Sequence, residues 1–191
     1  FSNNKDFDSI PSWTSFPSEG NISCIAVDPS NGNNLLVVFS NYQVYSLFYS
    51  SDAGDSWMKV AGNLEQTFVG GGSGPSCRWA SIFPIGNRTL YFLATTTGLY
   101  ATDALIANTN TNDPSTVWKQ IGAESIGTVV CNMVTTRLSD SAIVVATHGN
   151  GVYKSKITSV DDILNTNEIS EENISALLYP NPTNGVTYIE F

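Results

Sequence analysis

The chain has 191 residues, 41% of them apolar, which is enough to bury a core and sets aside disorder throughout. Eight basic residues against seventeen acidic ones leave a net charge of −9, which sets aside duplex nucleic acid and anionic membrane surfaces as partners, since both call for a basic face. Ser, Thr and Asn make up close to a third of the chain while only 13% of residues are charged, a balance that suits turn-rich β-structure rather than helices.

No run approaches the roughly 18 apolar residues of a spanning helix, so no membrane insertion is expected. Phe1 opens neither with Met nor with the basic-then-apolar layout of a signal peptide, and the sequence reads as a piece of a longer precursor with its export signal upstream. The first predicted element is a short strand, Ser12 to Phe16 (SWTSF), around Trp13. Ile22 to Asp52, Ser76 to Asp103 and Val129 to Ser155 then repeat one plan: strand, turn, strand, turn, strand. Each first strand carries a cysteine, Cys24, Cys77 or Cys131, spaced 53 and 54 residues apart. Each second strand is a nearly continuous apolar run (Leu35 to Phe39, Leu90 to Ala94, Ala142 to Ala146), the pattern of a strand buried on both faces. Each third strand ends in a tyrosine: Tyr49, Tyr100 or Tyr153. A fourth strand with a tryptophan follows the first two units, Ser56 to Val60 around Trp57 and Val117 to Ile121 around Trp118, and the third unit lacks one.

Four-stranded antiparallel units at this period, with nothing helical between them, predict an all-β fold of β-propeller blades over residues 1–157, the C-terminal part of a larger ring. Ser12 to Phe16 either ends a preceding blade or supplies the third unit's outer strand and closes a small ring. The three cysteines are expected at one repeat position as free buried thiols. Their odd number, the lack of a C-x-x-C pair and a single His set aside a zinc site.

Ser50-Ser51-Asp52-Ala53-Gly54-Asp55-Ser56-Trp57 fits S-x-D-x-G-x-x-W between the third and fourth strands of the first unit. A short hairpin must turn there: the Asp52 carboxylate can accept bonds from turn amides, Gly54 can take a positive φ, and Trp57 can fold inward as a plug. On Ser50, Asp52, Gly54 and Trp57 the chain resembles the Asp-box (bacterial neuraminidase repeat) propellers. ISCIAVDPSNGNNLLVVF and IVVATHGNGVYKSKI add a resemblance to sortilin-like and xyloglucanase-like blades, over residues 12 to 157. The resemblance implies a structural motif, not a catalytic acid. In the second unit the motif degenerates: Asp103 stays, Leu105 replaces the glycine, and Ile106 to Ser115 lengthens the hairpin. Those families include receptors, glycan-binding proteins and glycoside hydrolases, so the fold leaves activity open.

By the repeat register, the turns between second and third strands share one rim with the loops between blades, opposite the Asp-box hairpins. That rim carries Asn41, Tyr42, Thr96, Thr97, His148 and Asn150 and, after the loop Phe68 to Ser76, Arg78 beside Trp79. An arginine next to a tryptophan can stack on a sugar or hold an anion. Gly70 to Gly74 has no Lys-Ser/Thr after it and reads as a flexible loop, not a phosphate cradle. His148 has no Ser or Cys partner at a readable spacing, and Tyr42 or Thr97 takes its place in the other units. Sialidases need three converging arginines; Arg78, Arg88 and Arg137 are the only ones here, and the register sets Arg78 at the opposite end from the other two. With no pair of rim carboxylates, this piece is not expected to hydrolyse glycosides by itself, and no catalytic residue, metal or cofactor is assigned.

Residues 158–173 are acidic (Asp161, Asp162, Glu168, Glu171, Glu172) and read as a solvated linker with room for one helical turn. In 174–191, Tyr179-Pro180-Asn181-Pro182, then Asn184-Gly185 and an alternating strand Val186 to Phe191, give an extended segment, a hairpin turn and a half-buried strand. This phrase resembles the opening of the type A C-terminal sorting domain of type IX secretion in Bacteroidetes, part of a β-sandwich-like domain. The resemblance implies passage through the periplasm to the outside or the cell surface, with the type IX machinery as a partner. Three functions fit: an extracellular binding or adhesion module whose rim engages glycan or protein, the non-catalytic C-terminal part of a glycoside hydrolase, or a passive scaffold.

Overall fold

The computed structural model describes residues 20–40, 42, 44–65, 74–107 and 115–164 in full, and the backbone of 177–179 and 188–190. The first sheet holds β1 (Ile22–Asp28), β2 (Asn31–Phe39), β3 (Leu47–Ser50) and β4 (Met58–Lys59), antiparallel and in that spatial order. The second repeats the plan with β5 (Cys77–Ile85), β6 (Arg88–Thr95), β7 (Gly98–Thr102) and β8 (Lys119–Ile121). The third has three strands, β9 (Cys131–Arg137), β10 (Ala142–Thr147) and β11 (Val152–Lys156), with β10 in the middle. A single helical turn, α1 (Val160–Leu164), and an antiparallel pair, β12 (Leu177–Tyr179) and β13 (Tyr188–Glu190), complete the described chain, which is all-β in class. The Trp13 strand lies outside the described residues.

The apolar second strands decide how the sheets stack. Successive side chains of a strand point to opposite faces, so a continuous apolar run must be covered twice. Leu36 and Val38 of β2 meet Ala80, Ile82 and Leu93 of the second sheet, forming one buried seam. Phe92 and Ala94 of β6 turn the other way and meet Val134, Ile143 and Val145 of the third sheet, forming a second. The second sheet is therefore sandwiched, and first strands adjoin first strands: β1 with β5, and β5 with β9. Hydrogen bonds stitch both seams, from Cys24 Sγ to the Ala80 carbonyl (3.5 Å) and between the Ser81 and Thr136 hydroxyls (2.8 Å).

The ladder corrects the repeat alignment in the first unit. Ile22, Cys77 and Cys131 pair with Phe39, Thr95 and Thr147, and each is followed by an irregularity at Ser23, Arg78 or Asn132. Three bonds just outside these rungs match as well: Ser40 N–H to Asn21 C=O (3.0 Å), Thr96 N–H to Ser76 C=O (3.0 Å) and His148 N–H to Val130 C=O (2.8 Å). Ile22, not Cys24, thus holds the position of the other two cysteines. Cys24 faces the second sheet, whereas Cys77 and Cys131 face the sheet before their own. By the same count Phe48, not Tyr49, matches Tyr100 and Tyr153, opposite Val37, Leu93 and Val145. His148 matches Ser40 and Thr96 rather than Tyr42 or Thr97. All three cysteines are buried and unbridged. Burial raises each thiol, Cys77 to about 12.

The 158–173 segment also departs from a solvated linker at its start. Val160 and Leu164 are buried in the second seam, the Arg88 guanidinium bridges Asp103 and Asp161, and Lys119 Nζ donates to the Leu164 carbonyl (3.3 Å).

Candidate functional site

At one end of the first sheet the Ser50–Trp57 turn is held by its own side chains. The Asp52 carboxylate accepts from the Ser50 hydroxyl (2.7 Å), the Ser56 N–H (2.9 Å) and the Ser56 hydroxyl (2.5 Å). Ser50 Oγ in turn accepts from the amides of Asp52 (3.2 Å) and Gly54 (2.8 Å). The bonds from Ser56 and Ser50 hold the Asp52 carboxyl down at about 2, so it stays ionised and committed to the turn. Gly54 sits at φ +95°, and a Cβ there would come within 3.3 Å of the Trp57 ring. That ring packs with Val37, Phe39 and Phe48 on the face turned away from the second sheet. In the second unit Thr102 takes the part of Ser50, accepting the Ala104 amide (3.4 Å), so Ala104 rather than Asp103 stands where Asp52 stands. Asp103 serves the Arg88 ion pair instead.

The opposite end gathers the other candidates. Tyr42 is 63% exposed, and His148 and Asn150 are exposed on the β10–β11 turn. Asn150 Nδ2 donates to the Tyr153 hydroxyl (2.8 Å), as Thr97 Oγ1 meets the Tyr100 hydroxyl (3.2 Å) one sheet earlier. Asn41 and the glycine run from Gly70 to Ser73 lie outside the described residues. The Ser76 hydroxyl donates to the Ser40 carbonyl, fastening the first two sheets together at this end.

Arg78 occupies the irregularity in β5, where an extra residue re-aims its side chain. Its Nε is buried and has no hydrogen-bond partner among the described residues. Trp79 is half-buried and packs against both seams, so it is a wedge between sheets more than an open platform. Arg88 and Arg137 are committed elsewhere, Arg88 to Asp103 and Asp161 and Arg137 to Asp140 (2.6 Å). Tyr42, Arg78, Trp79, His148 and Asn150 therefore share one end of the sheets, and of these Arg78 brings a buried N–H without a partner among the described residues. Among the described residues no three His, Cys, Asp or Glu side chains converge as a metal site, and no helix is long and apolar enough to cross a membrane.

Sequence reading missed Glu65, which closes the short 3₁₀ turn Gly62–Leu64 at this same end. Its carboxylate accepts the Ser46 N–H (2.5 Å) while burial raises its pKa. No motif marks it; only its place in an interstrand segment could have drawn notice. A carboxyl whose folded pKa exceeds its unfolded one holds its proton longer in the folded state. Stability then falls as pH rises from the ordinary carboxylate value through the folded one. Glu65→Gln should lack that component, so thermal melts of the variant should flatten across this window while the wild type declines.

In the tail, Tyr179 ends β12 opposite Tyr188 of β13. Pro180, Asn181, Pro182, Asn184 and Gly185 lie outside the described residues. No protein-family model matches the chain, and no curated protein matches it.

Proposed function

We propose that this chain is the C-terminal part of an Asp-box β-propeller, exported by type IX secretion, whose end bearing Arg78 binds an acidic glycan outside the cell. The propeller reading is supported by sheets of one strand order stacked face to face, with first strands adjoining and the hydrogen-bonded Ser50–Trp57 turn at the far end. The export reading is supported by the Y-P-N-P and N-G phrase and the pairing of β12 with β13.

One observation carries the binding reading: the buried Arg78 Nε has no hydrogen-bond partner among the described residues. An unsatisfied buried donor is costly, and a planar guanidinium matches a carboxylate or sulfate with two parallel bonds. His148, Asn150 and Tyr42, exposed at the same end of the sheets, supply polar groups for sugar hydroxyls. No pair of carboxylates flanks Arg78 among the described residues, which favours binding over hydrolysis in this segment.

The test is a glycan array followed by calorimetry on the best acidic hit. Arg78→Ala should weaken binding by at least about tenfold, the scale of one charge-assisted bond. Arg78→Lys should recover only part of it, because a lysine lacks the fork. Acidic and neutral glycans bound alike, or an Arg78→Ala affinity equal to wild type, would refute the reading.

A further inference from the structure

Asn-Gly pairs stand in the chain at Asn31–Gly32, Asn150–Gly151 and Asn184–Gly185, the last of them outside the described residues. We infer that Asn150 is a site of spontaneous deamidation, with Gly151 supplying the attacking nitrogen and Tyr153 the proton for the leaving one. No ligand takes part, so the site stands whether or not Arg78 binds a glycan.

The reaction takes up water and releases ammonia. The Gly151 nitrogen gives its proton to solvent and attacks Cγ of Asn150; the Cγ–Nδ2 bond breaks, and Nδ2 leaves as ammonia with a proton from the Tyr153 hydroxyl, which solvent returns. A succinimide ring results. Water then opens it at Cγ, which gives aspartate, or at the main-chain carbonyl, which gives isoaspartate. Nothing is oxidised or reduced.

The first observation is the nucleophile. A glycine has no Cβ to hinder its nitrogen, and its backbone turns freely. Gly151 sits at φ +82°, and a Cβ there would meet nothing within 4 Å among the described residues. It is fastened through its carbonyl, which accepts both the Thr147 N–H (3.1 Å) and the Thr147 hydroxyl (2.6 Å). Its own N–H makes no hydrogen bond among the described residues. The attacking side of the residue is thus left available while the far side is held.

The second observation is the leaving group. Asn150 is exposed in the turn between β10 and β11, outside the ladder of either strand. Its Nδ2 donates to the Tyr153 hydroxyl (2.8 Å), which turns the carboxamide forward along the chain, toward the Gly151 side. An amide nitrogen leaves poorly. Once Cγ is tetrahedral, however, that nitrogen is a basic amine, and the same hydroxyl can donate to it as the bond breaks. The Tyr153 ring packs against the second seam, so the hydroxyl is held where the amine forms.

The third observation is the contrast with the same dipeptide at Asn31. That residue opens β2 opposite Asp28, whose carboxylate accepts the Asn31 N–H, and its own Oδ1 accepts the Asn33 N–H (3.2 Å). Backbone and side chain are both tied, and the turn of the main chain that brings Cγ to the next nitrogen has to break a bond first. At Asn150 the product differs in kind from the reactant. A carboxylate accepts and cannot donate, so Tyr153 must change from acceptor to donor, and isoaspartate lengthens the turn backbone by one carbon. The conversion also adds a negative charge to the end of the sheets that carries Arg78.

The test is timed incubation of the full chain in mildly alkaline buffer, then tryptic digestion and mass spectrometry, which reads the gain in mass as NH2 is replaced by OH. Cleavage after Arg137 and Lys154 gives a peptide whose only asparagine is Asn150, and fragmentation locates Asn31 in its own. In the folded chain Asn150 should convert at least about fivefold faster than Asn31, the rate equivalent of the one hydrogen bond that Asn31 must first give up. In urea the two rates should converge. Tyr153→Phe should slow Asn150 by a similar factor in the folded protein and leave the urea rate unchanged. Asn150→Gln, whose longer arm would have to close a larger ring, should keep its mass. A folded Asn150 that converts no faster than Asn31, or a Tyr153→Phe protein that converts at the wild-type rate, overturns the inference. Freshly prepared protein serves the glycan experiment, so either reading can fail without the other.

Discussion

Trp118→Ala should lower the unfolding free energy by about 3–5 kcal/mol, the range for truncating a buried aromatic side chain. The ring is 2% exposed at the seam of the first two sheets, and the backbone around it is clamped. Asn63 Oδ1 accepts the Trp118 N–H (2.7 Å), and Asn63 Nδ2 donates to the Trp118 carbonyl (3.0 Å). The indole N–H goes to Val60, so the side chain closes the loop that its backbone opens. Trp118→Phe keeps most of the packing but leaves the Val60 carbonyl without its donor, for a smaller loss of about 1–2 kcal/mol. Urea melts of both variants decide it. Since a domain of ordinary size is stable by only about 5–15 kcal/mol, the alanine variant should sit close to unfolding at 37 °C.

Gly62→Ala should be comparably severe for a different reason. A Cβ at Gly62 would lie 1.7 Å from the Thr116 carbonyl oxygen and 2.6 Å from its carbon, and the residue sits at φ +54°. Backbone cannot swing aside as a side-chain tip can, and this backbone is held: the Asn63 N–H donates to the same Thr116 carbonyl (3.2 Å). The expected loss is at least about 3 kcal/mol, read from the shift in urea midpoint at unchanged slope. Gly149→Ala is the control. It shares a positive φ of +83° but has nothing within 4 Å among the described residues, so it should cost only about 1–2 kcal/mol of left-handed strain. Equal losses at the two positions would mean that conformation, not close approach, dictates the glycine at 62.

Strand order was open to a reader of the sequence because the apolar runs Leu35 to Phe39, Leu90 to Ala94 and Ala142 to Ala146 are unbroken and bounded by turn residues. Register was not. Cys24 and Tyr49 are the conspicuous residues of the first unit, and each lies off the position that its look-alikes hold. A period of two makes such a slip invert every facing, which is why Cys24 and Cys77 meet across one seam instead of following each other round the repeat. The second unit misled in the same manner: Asp103 resembles the turn aspartate, while the ladder gives that place to Ala104. Glu65 and the docking of α1 were beyond sequence reasoning because both depend on what lies across a seam, not along the strand. Arg78 and Trp79 were legible as neighbours. Their division of labour, a wedge and a guanidinium whose Nε lacks a partner among the described residues, follows from an irregularity that no local pattern announces.

The three thiols give each seam its own chemical reporter. Only a thiolate attacks an alkylating reagent, and burial both raises these thiols and shields them, so modification has to await separation of the sheets. Cys24 and Cys77 line the first seam and Cys131 the second. Site-resolved alkylation under native conditions therefore times the parting of each pair of sheets separately, and shows whether the stack comes apart one leaf at a time or all at once.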